Sequence, residues 1–184
     1  VFGGADLPEA PLYFNQASPS AYNRGNTRAV PLGLALMEAL QADGVRVLNG
    51  APAFRFELSK AVQARVLARM GIDHPRTLAF NSVEALRTRA DEIGFPAILK
   101  PNQGGSGARM YKVESVDEVA EILEGDPALW IPDHVFLLQE YLPHDSKAHG
   151  IVRMEFLGGE LLYAMKVFSD GGFNLCPSEV CNPG

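Results

Sequence analysis

The sequence contains little of what marks a secreted, membrane-spanning or nucleic-acid-binding protein. Its only cysteines among 184 residues are Cys176 and Cys181, too few for a disulfide scaffold, so we expect a reducing compartment, the cytoplasm. We find no apolar run long enough to cross a bilayer and no signal peptide, and therefore predict no membrane partner. The net charge of −6 disfavours a nucleic-acid partner, which many lysines and arginines would have to hold.

The chain does have 47% hydrophobic residues, enough to bury a sizeable core. Apolar residues at spacings of three and four predict helices over 27–44, 57–70, 82–93 and 115–124. Short apolar runs predict strands at 12–15, 45–48, 77–80, 97–100, 110–113 and 135–142. The chain starts without methionine and stops soon after a strand-like segment, so we expect it to be a piece of a longer protein.

The stretch AILKPNQGGSGARMYKV, residues 97–113, joins two predicted strands through a glycine-rich loop. Glycines allow successive backbone N–H groups to turn toward one point, which suits an anion, and Lys100 stands at the mouth of that loop. A flexible hairpin with a surface lysine fits the same residues equally well. Lys60 lies in the first turn of a predicted helix, where a cation opposes the helix dipole, although a solvated lysine is the ordinary interpretation.

Residues 150–168 predict a hairpin that turns at Gly158 and Gly159. A two-residue turn places Arg153 opposite Ala164, and Ile151 opposite Lys166. Alternation of side chains then predicts one apolar core face and one face with charges. The charged face comprises Arg153, Glu155, Leu162, Ala164 and Lys166. A solvated ladder of ion pairs is the alternative interpretation of that face.

The remaining metal-ligating residue types do not form a motif. Cys176 and Cys181 are separated by four residues and lack a second cysteine pair or a nearby histidine, which disfavours a zinc site. The four histidines are scattered over predicted loops, and we expect them to be solvated.

Four blocks in order resemble the ATP-grasp superfamily, and most closely the branch that contains glutathione synthetase and the RimK-like α-L-glutamate ligases. The blocks are NGAPAFRFELSKAVQARVLARMGIDHPRT, GFPAILKPNQGGSGARMYKV, LLQEYLPHD and GIVRMEFLGGELLYAMK, and they cover about residues 49–166. One glycine-rich loop is a weak signal, whereas four ordered blocks are a strong one. The resemblance implies an α+β fold of two subdomains with an ATP cleft between them. We accordingly predict a partial preceding α/β segment over 1–50, the central subdomain over 51–130, and a truncated C-terminal subdomain over 131–184.

The resemblance also implies roles for individual residues. Two lysines, Lys60 and Lys100, would hold the ATP phosphates. The flexible loop that closes over the phosphates would comprise Gly104, Gly105, Ser106 and Gly107. A hinge would hold the adenine edge, mainly through backbone groups of Glu140 and Leu142, and comprises Gln139, Glu140, Tyr141 and Leu142. Asp145 or Lys147 would contact the ribose. Arg153 would be catalytic by steadying the transferred phosphoryl group, and Lys166, where the family often has arginine, would contact the cofactor.

The implied activity is ADP-forming ligation of a carboxylate to an amine or thiol, with ATP and Mg²⁺ as cofactors. In the family, acidic residues and an asparagine on later strands hold Mg²⁺, so we expect no metal ligand here and ligands beyond Gly184. We therefore expect this piece alone to be inactive. The carboxylate and amine substrates and a homo-oligomeric state remain open. A nucleotide-binding module without chemistry is the alternative, and a purely structural α/β domain is a third interpretation.

Overall fold

The computed structural model describes residues 10–105 and 107–169. Its N-terminal part pairs two short parallel strands, β1 (Tyr13–Phe14) and β2 (Val47–Leu48), beside helix α1 (Ala29–Ala42). A 3-10 helix, Pro19–Arg24, precedes α1. The predicted strand, helix and strand are therefore confirmed here. Leu48 in β2 is 43% exposed, although its apolar run would suit a buried strand, because a two-stranded sheet leaves its strands partly uncovered.

The single helix predicted over 57–70 is in fact the end of one helix and the whole of a second. Helix α2 (Ala51–Leu58) packs on α1, and helix α3 (Lys60–Met70) follows it. Ser59 separates them in an extended conformation, and its hydroxyl caps α3 by accepting the N–H of Val62 at 3.3 Å. The apolar stripe predicted for α3 is not buried within the described residues, since Val62 and Met70 are 48% and 67% exposed.

An antiparallel sheet with strand order β3-β6-β4-β5 forms the centre of the described structure. Its strands are β3 (Thr77–Phe80), β4 (Ala97–Pro101), β5 (Tyr111–Val113) and β6 (Phe136–Glu140). Helices α4 (Val83–Arg87) and α5 (Val116–Gly125) pack on one face, and the helix predicted over 82–93 finishes as a 3-10 turn, Ala90–Glu92. A further 3-10 turn, Pro127–Trp130, precedes β6.

The middle of this sheet is fully buried, as the continuous apolar run in β6 predicts. Phe136, Leu137 and Leu138 each have 0% exposure. Strand β6 pairs with β3 and β4, although the boundary that we predict between residues 130 and 131 separates it from them. That boundary remains a prediction.

Alternation along β4 and β6 decides which side chains leave the core. Leu99 and Leu138 are in register and belong to the buried cluster under α4 and α5. Lys100 follows Leu99 and Gln139 follows Leu138, so both side chains point to the opposite face of the sheet. This second face carries the candidate site.

The last pair of strands forms the predicted hairpin, but in a different register. Strands β7 (Ile151–Leu157) and β8 (Glu160–Val167) contain an irregularity between Glu155 and Phe156. Arg153 therefore lies opposite Met165 and Lys166 opposite Val152, so the predicted pairing of Arg153 with Ala164 and of Ile151 with Lys166 is wrong. Because a one-residue shift reverses the facing of a strand, Arg153 and Lys166 lie on opposite faces.

Neither face of this hairpin is covered within the described residues, so the predicted core face is also wrong. Its large apolar side chains are between 39% and 72% exposed. They are Val152, Met154, Phe156, Leu157, Leu161, Leu162, Tyr163 and Met165. Among the helices that the structure describes, none is both long and apolar enough to span a membrane.

Candidate functional site

Two lysines that are 40 positions apart in the sequence line one cavity of about 100 Å³. Lys60 reaches it from the first residue of α3, and Lys100 from the outer face of β4. The rest of the lining comes from the start of the glycine-rich loop and the residues after it. These are Pro101, Gly104, Gly105, Gly107, Ala108 and Met110. The structure thus brings together both lysines and the described glycines that the sequence singles out.

Asn102, at the end of β4, holds the first turn of α3 against the loop. Its side-chain oxygen accepts the Ala61 N–H at 2.9 Å and the Ser59 hydroxyl at 3.2 Å. Its side-chain amide donates to the Asp133 carboxylate at 2.6 Å. Asn102 is only 6% exposed, so these bonds satisfy a buried amide and orient the Lys60 backbone. Sequence reasoning missed Asn102 because its partners are distant in the chain.

Each lysine has its own hydrogen-bond partners. The Lys60 ammonium donates to the carbonyl oxygens of Asn102 and Gly104, both at 3.1 Å. The Lys100 ammonium donates to Oε1 of Gln139 at 2.7 Å, and the amide of Gln139 donates to the Thr77 hydroxyl at 2.8 Å. Gln139 therefore orients Lys100 across the sheet. Within the described residues, neither ammonium group is hydrogen-bonded to a carboxylate.

The ammonium groups of Lys60 and Lys100 are both largely buried, and this burial lowers the pKa of each. Burial, together with the charge of Lys100, lowers the pKa of Lys60 to about 8, while Asp133 opposes this change. Burial also lowers the pKa of Lys100. A site that destabilises two positive charges is one that an anion would stabilise, because an opposite charge favours the ionised lysines. The arrangement is suited to binding a multiply charged anion.

The 3-10 segment before α1 packs against the glycine-rich loop, and sequence reasoning missed this contact. The Tyr22 side chain lies beneath Gly104, where a Cβ atom would stand 3.0 Å from its hydroxyl oxygen. A Cβ on Gly105 would similarly stand 3.3 Å from the Cβ of Ser20. Gly104 is therefore needed for close packing rather than only for backbone freedom. No local signal in the sequence indicates this contact.

The predicted adenine hinge lies at the end of β6. The Glu140 carboxylate binds Arg76 through Nε and a terminal guanidinium nitrogen, both at 3.2 Å, and these contacts with Arg76 lower the pKa of Glu140. The Glu140 backbone N–H donates to the Arg76 carbonyl at 2.9 Å. That N–H is thus already used in this structure. Gln139 contacts Lys100, and Leu142 is 56% exposed.

An open recess of about 520 Å³ lies directly after the hinge. Its lining is formed by Tyr141, Pro143, His144, Asp145, Ser146 and His149. The Asp145 carboxylate accepts the backbone N–H groups of Lys147 and Ala148 at 3.0 and 2.9 Å, so it caps its own turn. Tyr141 is two residues beyond Gln139, the residue whose side-chain oxygen accepts from Lys100.

The other predicted site residues either lie away from the cavity or are not among the residues that the structure describes. Arg153 and Lys166 are exposed on the hairpin and do not line either recess. Ser106 lies outside the described residues, as do Cys176 and Cys181. Within 10–105 and 107–169, no three side chains of His, Cys, Asp or Glu come together as metal ligands.

Comparison with known proteins identifies the family. The model of the RimK-like ATP-grasp domain matches residues 58–176, well over half of the chain, and the chain belongs to this family. The N5-carboxyaminoimidazole ribonucleotide synthase of Synechococcus elongatus is 29% identical over 117 residues, which are 62% of this chain and 28% of that protein. A D-alanine–D-alanine ligase of Bacillus anthracis is 32% identical over 68 residues, 36% of this chain and 22% of that protein.

Solved structures agree on the fold. A RimK-domain ATP-grasp protein from Sphaerobacter thermophilus superposes with a TM-score of 0.65 at 20% identity, over 94% of this chain and 60% of that one. The D-alanine–D-alanine ligase of Bacillus anthracis in complex with ATP gives 0.57 at 18% identity, over 73% and 43%. The α+β ATP-grasp fold is confirmed. The chain spans about three fifths or less of the length of these relatives.

Proposed function

We propose that this chain is the ATP-binding part of an ADP-forming ligase that joins a carboxylate to an amine. The observation that carries the proposal is the meeting of Lys60 and Lys100 at one cavity beside Gly104 and Gly105. The named relatives include a carboxyaminoimidazole ribonucleotide synthase and a D-alanine–D-alanine ligase, and one solved neighbour was determined with ATP. The family and the two cations support the same assignment.

The phosphates fit the cavity on electrostatic grounds. The two lysines have lowered pKa values and no hydrogen-bonded carboxylate in the part of the chain that the structure describes, so a triphosphate would supply the negative charge that they lack there. The hydrogen bond to Gln139 orients the Lys100 ammonium group within the cavity. Lys60 and Lys100 are thus proposed to bind the phosphates, with the described glycines of the loop beside them.

The nucleoside end is proposed to lie at the hinge. Tyr141 and Asp145 line the open recess, which begins two residues beyond the Lys100 contact at Gln139. This separation is compatible with an extended nucleotide whose phosphates lie at the lysines and whose base and ribose lie at the recess. Contacts of the base with the hinge backbone and of the ribose with Asp145 or Lys147 are part of the proposal.

The proposed chemistry has two steps with balanced products. A substrate carboxylate oxygen attacks the γ-phosphorus, ADP departs and an acyl phosphate forms; an amine then attacks the acyl carbon and inorganic phosphate departs. Lys60 and Lys100 would offset the negative charge on the phosphates, and Arg153 is proposed to steady the transferred phosphoryl group. Mg²⁺ would neutralise phosphate charge when bound, but the described residues offer no cluster to hold it, so we assign it no step; its ligands are proposed to lie beyond Gly184. A cytoplasmic location is likewise proposed.

Nucleotide binding can be tested on this chain alone. We expect ATP to raise the melting temperature, because a ligand that binds only the folded state stabilises it by mass action, and comparison with GTP tests the preference for the base. The measurement is a thermal shift with each nucleotide, with and without Mg²⁺. Lys100→Met should remove the ATP shift, and Arg65→Met, which removes an exposed cation from α3, should leave it intact. Equal shifts in all three proteins would refute the phosphate assignment.

Catalysis is a separate test, and we propose to make it on the full-length protein. Lys100→Ala should reduce turnover by on the order of a hundredfold or more, the usual loss when a donor aimed at developing charge is removed. An ADP-release assay with candidate carboxylates and amines measures it. ATP binding without any turnover in the complete protein would favour the nucleotide-binding module without chemistry.

A further inference from the structure

The Tyr22 hydroxyl is a buried polar group without a partner. The residue is 6% exposed, and its hydroxyl oxygen, shielded from solvent, has no hydrogen-bond partner among the described residues. Leaving such a donor unpaired destabilises the folded chain. Buried polar groups are nearly always paired, so this exception calls for a physical explanation.

Tyr22 touches both ends of the glycine-rich loop. Its hydroxyl lies 3.0 Å from the position that a Cβ on Gly104 would occupy, and its ring carries the Arg109 guanidinium 4.9 Å from the ring centroid. Arg109 itself donates to the carbonyl of Ile131 at 3.0 Å, which fixes the far end of the loop. Tyr22 therefore contacts the loop at both ends, although it lies outside residues 58–176, which match the RimK-like ATP-grasp domain.

The Lys60 ammonium group also lies beside Gly104. The Lys60 ammonium nitrogen is 3.9 Å from the same Cβ position on Gly104, and it donates to the Gly104 carbonyl at 3.1 Å. Tyr22 and Lys60 thus both lie on the side of Gly104 that a Cβ atom would occupy. Lys60 donates to the Gly104 carbonyl, whereas the Tyr22 hydroxyl makes no hydrogen bond to the described residues.

We propose that Tyr22 is a positioning residue of the nucleotide site, which donates to the Gly104 carbonyl when Lys60 turns away to bind a phosphate. This inference rests on the proposed function for its ligand, but the exchange of donors is a property of the chain. Its effect is that the loop keeps a hydrogen bond to the body of the protein in both states. The Tyr22 hydroxyl, unpaired while Lys60 donates to Gly104, becomes paired when Lys60 binds a phosphate.

A double-mutant cycle tests the exchange without any nucleotide. In the wild-type background, Tyr22→Phe should leave the melting temperature unchanged or raise it, because it removes an unpaired buried hydroxyl. In the Lys60→Met background the Gly104 carbonyl has lost its lysine, so Tyr22 is free to donate to it. Tyr22→Phe should then lower the melting temperature by roughly 2–4 °C, the shift expected from losing one hydrogen bond in a chain of this size. The same shift in both backgrounds would overturn the proposal.

A nucleotide titration tests the link to the site. Tyr22→Phe should bind ATP about fivefold more weakly than the wild type, because the hydrogen bond that forms only in the occupied state is lost. Tyr163→Phe, a change on the exposed hairpin, is the matched control and should bind like the wild type. Isothermal titration with ATP gives both affinities. A Tyr22→Phe protein with wild-type ATP affinity would overturn the positioning role.

The two tests separate the inference from the proposed function. A wild-type chain that does not bind ATP would refute the proposed function, and the donor exchange would still be judged by the cycle. A chain that binds ATP but shows additive Tyr22 and Lys60 effects would keep the proposed function and refute the exchange.

Discussion

We expect the free energy of unfolding of the wild-type chain to increase with pH. Lys60→Met should make this increase smaller. The pKa of Lys60 is lowered to about 8 in the folded protein, from an ordinary value of 10.5, by burial and by Lys100. Between these values the unfolded chain binds more protons than the folded chain, so the free energy of unfolding increases as the pH rises. The protonated lysine destabilises the fold below pH 8, and the penalty disappears as it loses its proton in the folded state.

The size of the effect follows from the shift. A difference of about 2.5 pKa units corresponds to about 3 kcal/mol over the whole range, of which about 1 kcal/mol is regained between pH 7 and pH 9. This change should raise the melting temperature by roughly 2–4 °C for a chain of this length. Part of the rise belongs to Lys100, whose pKa is also lowered by burial, so Lys60→Met should reduce the slope without abolishing it.

The assay is urea unfolding at pH 7, 8 and 9, with the variants compared by slope rather than by absolute stability. Slope is the appropriate quantity because Lys60→Met also removes hydrogen bonds to Asn102 and Gly104, which changes stability at every pH. Arg65→Met should keep the wild-type slope, since it removes an exposed cation from the same helix. Parallel curves for the wild type and Lys60→Met would refute the reasoning that Lys60 is charged and poorly solvated.

Further predictions concern the site, the core and the hinge. ATP binding to the wild type at pH 8.5 should be accompanied by proton uptake, because phosphate charge favours the protonated form of Lys60. Calorimetry in buffers of different ionisation enthalpy measures this uptake. Binding without proton uptake would place the phosphates away from Lys60. Asn102→Ala should destabilise the chain by about 2–4 kcal/mol in urea unfolding, because it leaves buried groups unpaired. The same change at the exposed Asn81 should have little effect on the free energy of unfolding. Equal losses at the two positions would contradict the role of Asn102. Phe136→Ala should cost about 3–5 kcal/mol by the same measurement, because its ring is fully buried, and a cost below 1 kcal/mol would contradict its place in the core. The contacts with Arg76 lower the pKa of Glu140, so they stabilise the fold above the ordinary pKa of a glutamate, and this stabilisation is lost as the pH falls through the lowered pKa of the folded protein. Arg76→Gln should therefore make the free energy of unfolding depend less on pH in acid, as followed by circular dichroism. An unchanged dependence would count against the Arg76–Glu140 pair.

The sequence alone was sufficient to predict most of the helices and strands, and the family. The run around Leu137 predicts a buried strand, the loop after Lys100 predicts a turn with exposed N–H groups, and four ordered blocks predict the family. These features are local or follow chain order, so composition and spacing contain them. The meeting of Lys60 and Lys100 depends on long-range folding, and here the resemblance to the family supplied what periodicity could not.

Only the tertiary structure decided the contacts that position these groups. An irregularity of one residue between Glu155 and Phe156 reversed the predicted facing of the hairpin, because register depends on pairing and not on periodicity. The break at Ser59 gives Lys60 its place at a helix start, and Asn102 holds that start from 43 residues away. The Tyr22 hydroxyl, which has no partner among the described residues, lies beside Gly104. The contacts of Tyr22 and of Asn102 both join residues that are far apart in the chain, so only the folded backbone brings them together.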